Sequence, residues 1–159
     1  MKMKTCNPWS TFIGAAVLLL SPAVWAQSHR TTWKIIRNSD TCQYSVPSDW
    51  KQDNKHRGIS TSPDQKVAVV PQNVHSDETF DDVKKQLQDK MPPLKVLQDD
   101  ANRYWYVYRD PADAEDSPDT HWYVAVQRND HVCALQITFK SADGDSIPKE
   151  IAATIVPGK

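Results

Sequence analysis

A cysteine in a strand-like segment near the end of the chain constrains the fold more than any other feature. The segment NDHVCALQITFK, residues 129–140, alternates apolar and polar residues as a β-strand with one buried face does. This alternation places Cys133 in line with Leu135 and Ile137. The thiol is therefore predicted to face a hydrophobic core.

A second cysteine has the same setting near the start of the chain. In TCQYSVPSDW, residues 41–50, Cys42 alternates with Tyr44 and Val46. Both cysteines thus lie on the apolar side of a predicted strand, and the simplest interpretation is a disulfide between the two strands. The alternative is two separate thiols that pack as small apolar side chains.

The N-terminus indicates the compartment in which these cysteines function. Residues 1–26 begin with Lys2 and Lys4, continue with an apolar run at 12–20, and end in AVWA. This order predicts a secretory signal that is cleaved after Ala26. The apolar run is shorter than the roughly 20 residues that span a bilayer. We therefore expect a periplasmic or secreted protein with no stable membrane insertion after cleavage.

Cleavage would leave a single domain at residues 27–159, in which Cys42 and Cys133 are the remaining cysteines. Two cysteines in an oxidising compartment are usually partners. Removal of the leader takes two lysines and changes the formal net charge from −1 to −3. Without a polybasic block, the composition argues against a nucleic-acid partner.

The order of predicted elements indicates the fold class. Thr79 and Asp82 form a capping box, Pro92 follows, and the residues between them share one apolar stripe: Phe80, Val83, Leu87 and Met91. Strand patterns follow in KVLQD, RYWYVYR, HWYVAVQR and HVCALQITFK, and a second helix is predicted in SIPKEIAATIV. Strands, helix, strands and helix predict an α+β fold, an antiparallel β-sheet with two main helices packed on it.

Two short motifs give this order a family resemblance. Residues 44–50 read Y-x-V-P-x-x-W, and residues 62–64 read SPD. With the central helix, the long antiparallel meander and the terminal helix, residues 40–156 resemble the PsbP-like α/β sandwich. The resemblance implies a fold that serves as a non-catalytic binding or accessory module. It carries no functional residues that transfer to this sequence.

An aromatic row is the first candidate contact surface. Tyr104, Tyr106 and Tyr108 alternate along RYWYVYR, and Trp122 lies on the next strand. Tyrosine and tryptophan are common anchors in ligand grooves and protein interfaces. The alternative is a central strand that is covered on both faces, with the tyrosine hydroxyls reaching its edge.

An acidic loop at residues 110–119 is the second candidate. It contains Asp113, Glu115 and Asp116, which suit contact with a basic partner surface. Clustered carboxylates also suit Ca²⁺, but the loop has neither EF-hand spacing nor a glycine at the turn. The alternative is a solvated acidic loop. The histidines show no metal-ligand spacing, so we predict neither a metal nor a cofactor.

Catalytic motifs are absent from the sequence, which has no Gly-x-Ser-x-Gly elbow and few glycines for a phosphate loop. The leading hypothesis is an exported, non-enzymatic binding or accessory module that recognises a protein or a small ligand. The second is a periplasmic immunity or inhibitor protein whose acidic loop blocks a secreted toxin. The third is a hydrolase whose site the sequence does not reveal.

Overall fold

The structure is a computed structural model, and it describes residues 32–38, 42–53, 55, 58–110, 119–140 and 144–158. The predicted signal peptide, residues 1–26, lies outside the described residues. So do Asp113, Glu115 and Asp116 of the acidic loop.

Ten strands and two helices are present in the described part of the chain. Their bounds are β1 Trp33–Asn38, β2 Cys42–Pro47, β3 Lys51–Asp53, β4 Ile59–Thr61, β5 Val67–Pro71, α1 Phe80–Lys90, β6 Lys95–Asp99, β7 Arg103–Tyr108, β8 Asp119–Arg128, β9 His131–Lys140, α2 Ser146–Ala153 and β10 Val156–Pro157.

The strands form two antiparallel sheets, which confirms the predicted α+β class. The small sheet has the order β1-β2-β10, and the large sheet has the order β3-β4-β5-β9-β8-β7-β6. The expectation of one sheet was too simple, because β2 packs across the face of β9 instead of pairing along a strand edge. The central strands β8 and β9 are apolar on both faces, so each face needs its own covering layer.

The small sheet packs on one face of the large sheet, and the buried apolar residues between them form what we call the interlayer core. Tyr44 and Val46 of β2 pack there with Leu135 and Ile137 of β9. A disulfide joins Cys42 to Cys133 across this core, with 5.2 Å between their Cα atoms. The predicted pairing is confirmed. The bond ties β2 of the small sheet to β9, a central strand of the large sheet.

Helix α1 covers the opposite face of the large sheet. Its N-terminus has the predicted capping box, in which the Thr79 hydroxyl accepts a hydrogen bond from the Asp82 N–H at 3.2 Å. The Asp82 carboxylate accepts one from the Thr79 N–H at 3.1 Å. The buried stripe of α1 is Phe80, Val83 and Leu87, as the period of 3.6 residues predicts.

Helix α2 ends earlier than the sequence pattern suggests and lies beside β2. It stops at Ala153, and residues 156–157 form β10, which pairs with the start of β2. The Ser45 N–H donates to the Thr154 hydroxyl at 2.9 Å. The Arg103 guanidinium of β7 donates to the Ala152 carbonyl at 3.1 Å, satisfying a carbonyl at the end of α2.

In the part of the chain that the structure describes, no helix is long and apolar enough to cross a membrane.

Candidate functional site

The interlayer core is tied at one end and open at the other. Strand β2 begins at Cys42 and β9 begins just before Cys133, so both strands run away from the disulfide. At their far ends lies a cleft of about 550 Å³, which we call the interlayer cleft. Its described lining residues are Pro47, Asp49, Trp50, Ser62, Pro63, Asp64, Lys66, Val67, Phe139, Lys140, Gly144, Ser146, Ile147 and Pro148.

The floor of the cleft is apolar and firmly held. Trp50 and Phe139 are almost completely buried in the interlayer core, and Val67 and Ile147 pack against it. The backbone N–H of Trp50 donates to the Pro47 carbonyl at 3.1 Å, which closes the turn after β2. The Lys34 ammonium donates to the Trp50 carbonyl. The Trp50 side chain is therefore held by packing in the core, and its backbone is held by two hydrogen bonds.

One rim of the cleft is a closed turn between β4 and β5. The Ser62 hydroxyl donates to the Asp64 carboxylate at 2.6 Å and accepts from the Val67 N–H at 3.0 Å. The Lys66 N–H also donates to Asp64, at 3.2 Å. The hydrogen bond from Ser62, followed by that from the Lys66 backbone, lowers the pKa of Asp64. Its carboxylate thus stays ionised and holds the turn.

The opposite rim is the start of α2. Gly144 has φ +84°, a left-handed conformation that glycine adopts without strain, and the chain then enters the helix at Ser146. The first turn of α2 contains no acidic residue, and the Asp145 carboxylate before it pairs with the Lys149 ammonium at 2.7 Å. The Asp145 carboxylate is thus engaged by a lysine of its own helix.

The two lysines of the cleft lie beside the β5–β9 pair, Lys66 in the bend before β5 and Lys140 at the end of β9. Lys66 directly precedes Val67, and Lys140 directly follows Phe139. Val67 and Phe139 are partners in the β5–β9 register, and both lysines line the cleft where these two strands meet it. Asp49 lies on the rim that follows β2. The cleft therefore combines an apolar floor with a small number of charged groups at its mouth.

The aromatic row lies away from this cleft. Tyr104 and Tyr106 are fully buried, with the Tyr106 hydroxyl donating to the Leu87 carbonyl of α1 at 3.3 Å. Trp122 faces the other way and is buried in the interlayer core. Tyr108, the last tyrosine of the row, is partly buried. In the structure, Tyr104 and Tyr106 pack beneath α1, as in the alternative of a strand covered on both faces.

A polar cluster follows Tyr108 on the same face of the large sheet. The His121 Nδ1 lies 3.0 Å from the Thr138 hydroxyl and 3.1 Å from the Gln136 amide nitrogen. The Tyr108 and His121 rings are 6.2 Å apart between centroids. The described residues contain no group of three or more His, Cys, Asp or Glu side chains that could hold a metal ion.

Tyr123, a buried residue whose ring lies beside that of Tyr108, predicts alkaline sensitivity of the fold. Burial, with smaller contributions from Tyr108 and Asp110, raises the pKa of Tyr123 to about 12. An unfolded tyrosine ionises near 10, so between pH 10 and 12 the unfolded chain loses this proton first. The free energy of unfolding should therefore fall over this range, by on the order of 2 kcal/mol from Tyr123.

Urea denaturation of the wild type and of Tyr123→Phe at pH 9 and pH 11 measures this contribution. We expect Tyr123→Phe to lose less stability than the wild type between the two pH values. Equal losses in the two proteins would contradict the assignment.

Sequence reasoning missed the interlayer cleft, although two of its signals were visible. Pro47 and Trp50 belong to the Y-x-V-P-x-x-W motif, and residues 62–64 are the SPD motif. Taken singly, each motif indicates only a turn and a family resemblance. Their common position at one cleft depends on the packing of the small sheet onto the large one.

Comparison with known proteins adds no constraint: no protein-family model and no curated protein matches the chain.

Proposed function

We propose that this chain is an exported, non-enzymatic binding module of the PsbP-like α/β sandwich type, and that the interlayer cleft is its recognition site. The observation that carries the proposal is the composition of the cleft. Ligand sites are concave and mostly apolar, with a few polar groups that orient the ligand, and they commonly enclose about 300–1,000 Å³. The interlayer cleft, at about 550 Å³, has these properties.

A non-enzymatic role is supported by the kind of titratable groups at the cleft. Its described lining contains Asp49, Asp64, Lys66 and Lys140, and no histidine or cysteine. General acid–base catalysis needs a group whose pKa lies near the working pH. The pKa of Asp64 is lowered, because its carboxylate is hydrogen-bonded within a turn. This group therefore suits recognition better than proton transfer.

Export is supported by the covalent chemistry of the core. Disulfides form and persist in the periplasm and outside the cell, and they are rare in the cytosol. The Cys42–Cys133 bond therefore agrees with the secretory signal predicted for residues 1–26.

A module that is tied at one end and open at the other also suits binding, because a rigid scaffold loses little conformational freedom when a ligand enters.

The proposed site can be tested by filling it. Ile147 lines the cleft from α2, whereas Lys149 is exposed on the same helix and does not line it. In a saturation-transfer NMR screen with small aromatic and aliphatic fragments, we expect the wild type and Lys149→Trp to bind the same compounds. Ile147→Trp should lose most of this binding, because the indole would occupy the cleft.

Circular dichroism on each variant separates loss of binding from loss of folding. If a folded Ile147→Trp binds the same fragments as the wild type, the recognition site lies elsewhere. If no fragment binds the wild type, a small-molecule role for the cleft is wrong.

A further inference from the structure

Strand β1 leaves one of its two edges open. In the small sheet, β2 lies between β1 and β10, and no strand of the described residues pairs with the other side of β1. The pairing of β1 with β2 runs from Trp33 to Asn38 without a register shift. An open strand edge presents a row of backbone donors and acceptors to which another strand can pair. Strand β1 is therefore a template for a further strand.

The other edge strands are less suited to such pairing. Strand β3 has three residues, all exposed and two of them charged. Strand β6 is interrupted by a bulge between Val96 and Gln98, and β10 has two residues, one of which is Pro157. Short strands, charges, bulges and proline are the means by which proteins protect sheet edges. Among the edge strands of the described residues, β1 is the longest and carries no bulge.

Alternate residues of β1 direct their backbone groups to the open edge. The Ser48 N–H donates to the Thr32 carbonyl, so the even-numbered residues of β1 form the hydrogen-bonded pairs with β2. Ser45, the register partner of Ile35, donates its N–H away from β1, which agrees with this pattern. Three residues thus direct their N–H and C=O groups to the open edge: Trp33, Ile35 and Arg37.

The side chains of these three residues share the outer face of the small sheet. Ile36 is buried in the interlayer core, so its neighbours along the strand point the other way. Ile35 is 62% exposed, and Arg37 is exposed as well. Trp33 is half-buried and lines a surface groove of about 360 Å³ that also contains Glu150. The open edge therefore has an apolar centre, with an aromatic ring on one side and a cation on the other.

We propose that β1 pairs with β1 of a second copy of this chain, antiparallel and about a twofold axis at Ile35. In this register Ile35 is its own partner, and Arg37 of each copy lies opposite Trp33 of the other. Pairs of this type exchange two backbone hydrogen bonds. The guanidinium would lie near an aromatic ring and near the groove that contains the Glu150 carboxylate, both of which attract a cation. The match of Trp33 to Arg37 lies within β1 itself, which favours a second copy over an unrelated strand.

Sedimentation equilibrium of the purified protein, from about 10 µM to about 1 mM, measures the association. Because the contact involves one strand, we expect a weak dimer that dissociates at low micromolar concentration. Ile35→Lys and Ile35→Glu each place like charges opposite one another at the axis, so each should weaken the dimer at least about tenfold. An equimolar mixture of these two variants should associate again, because opposite charges then face each other. Leu94→Lys is the matched control, since Leu94 is 69% exposed beside β6, and it should leave the dimer unchanged.

A second pair of variants tests the register away from the axis. Arg37→Gln removes both contacts between the guanidinium and Trp33 and should weaken the dimer roughly tenfold. Arg128→Gln, at the hairpin between β8 and β9, is the control and should leave it unchanged. Circular dichroism on each variant verifies that it is folded.

A wild type that stays monomeric up to about 1 mM would overturn the dimer, whatever other strand β1 accepts. So would a dimer that neither the Ile35 variants nor Arg37→Gln weakens, or a mixture of the two Ile35 charge variants that stays monomeric. A dimer that Leu94→Lys disrupts instead would place the contact at β6 and would also contradict the pairing of β1.

Discussion

Loss of the Cys42–Cys133 disulfide is expected to lower the free energy of unfolding by about 4 kcal/mol. The bond closes a loop between residues 91 positions apart, and a cross-link over such a loop removes much of the freedom of the unfolded chain. Both cysteines are buried in the interlayer core, so the bond also holds the small sheet against the large sheet. It is the one disulfide within the described residues.

Urea denaturation of the wild type, with and without reductant, and of Cys42→Ala/Cys133→Ala measures this effect. Reductant should destabilise the wild type and leave the double variant unchanged, which controls for reductant acting elsewhere. Equal stability of the wild type in both conditions would show that the bond does not form or does not stabilise the fold.

Trp122→Ala is expected to cost about 3–5 kcal/mol. Trp122 is 4% exposed and lies in the interlayer core, where its ring meets Phe139 edge-on at 4.7 Å and Trp105 at 5.0 Å between centroids. Truncation to alanine leaves a cavity beneath both neighbours. A tryptophan that served as a surface contact would instead be removed with little loss of stability.

Ile35→Ala is the control for this comparison, because Ile35 is 62% exposed on β1 and its truncation should change stability by less than about 0.5 kcal/mol. Both variants would be measured by urea denaturation. If Trp122→Ala were as stable as Ile35→Ala, Trp122 would not be a core residue, and its position in the interlayer core would be wrong.

Local patterns predicted individual elements well. The alternation around Cys133 predicts β9, where Cys133 pairs with Val126 of β8. The Thr79 and Asp82 capping box gave the start of α1. In each case the signal lies in adjacent residues, and their backbone geometry follows from their own hydrogen bonds and spacing.

Apart from the Cys42–Cys133 bond, features that depend on packing between distant segments were not predicted. The separation of β1, β2 and β10 into a second sheet follows from the need to cover both faces of β8 and β9, which no single segment encodes. The aromatic row illustrates the same limit. Alternation places Tyr106 and Trp105 on opposite faces of β7, but the layer that covers each face, α1 or the small sheet, is set by packing between distant segments.

The interlayer cleft is the clearest case. Its lining comes from the end of β2, the turn before β5, the end of β9 and the start of α2. The turn residues Ser62 and Asp64 have an adequate local explanation, since they satisfy one another by hydrogen bonding. Only the assembled layers bring this turn beside Trp50 and Ile147.

A residue-resolved map of amide chemical shifts, recorded while the tightest-binding fragment of the screen is added to isotopically labelled protein, tests the recognition site most directly. The account predicts that the shifts concentrate at Trp50, at residues 62–67, at Phe139 and at residues 144–148. Shifts concentrated instead at Tyr108, His121 and Gln136, or at the hairpin of Arg128 and His131 beside the disulfide, would contradict it.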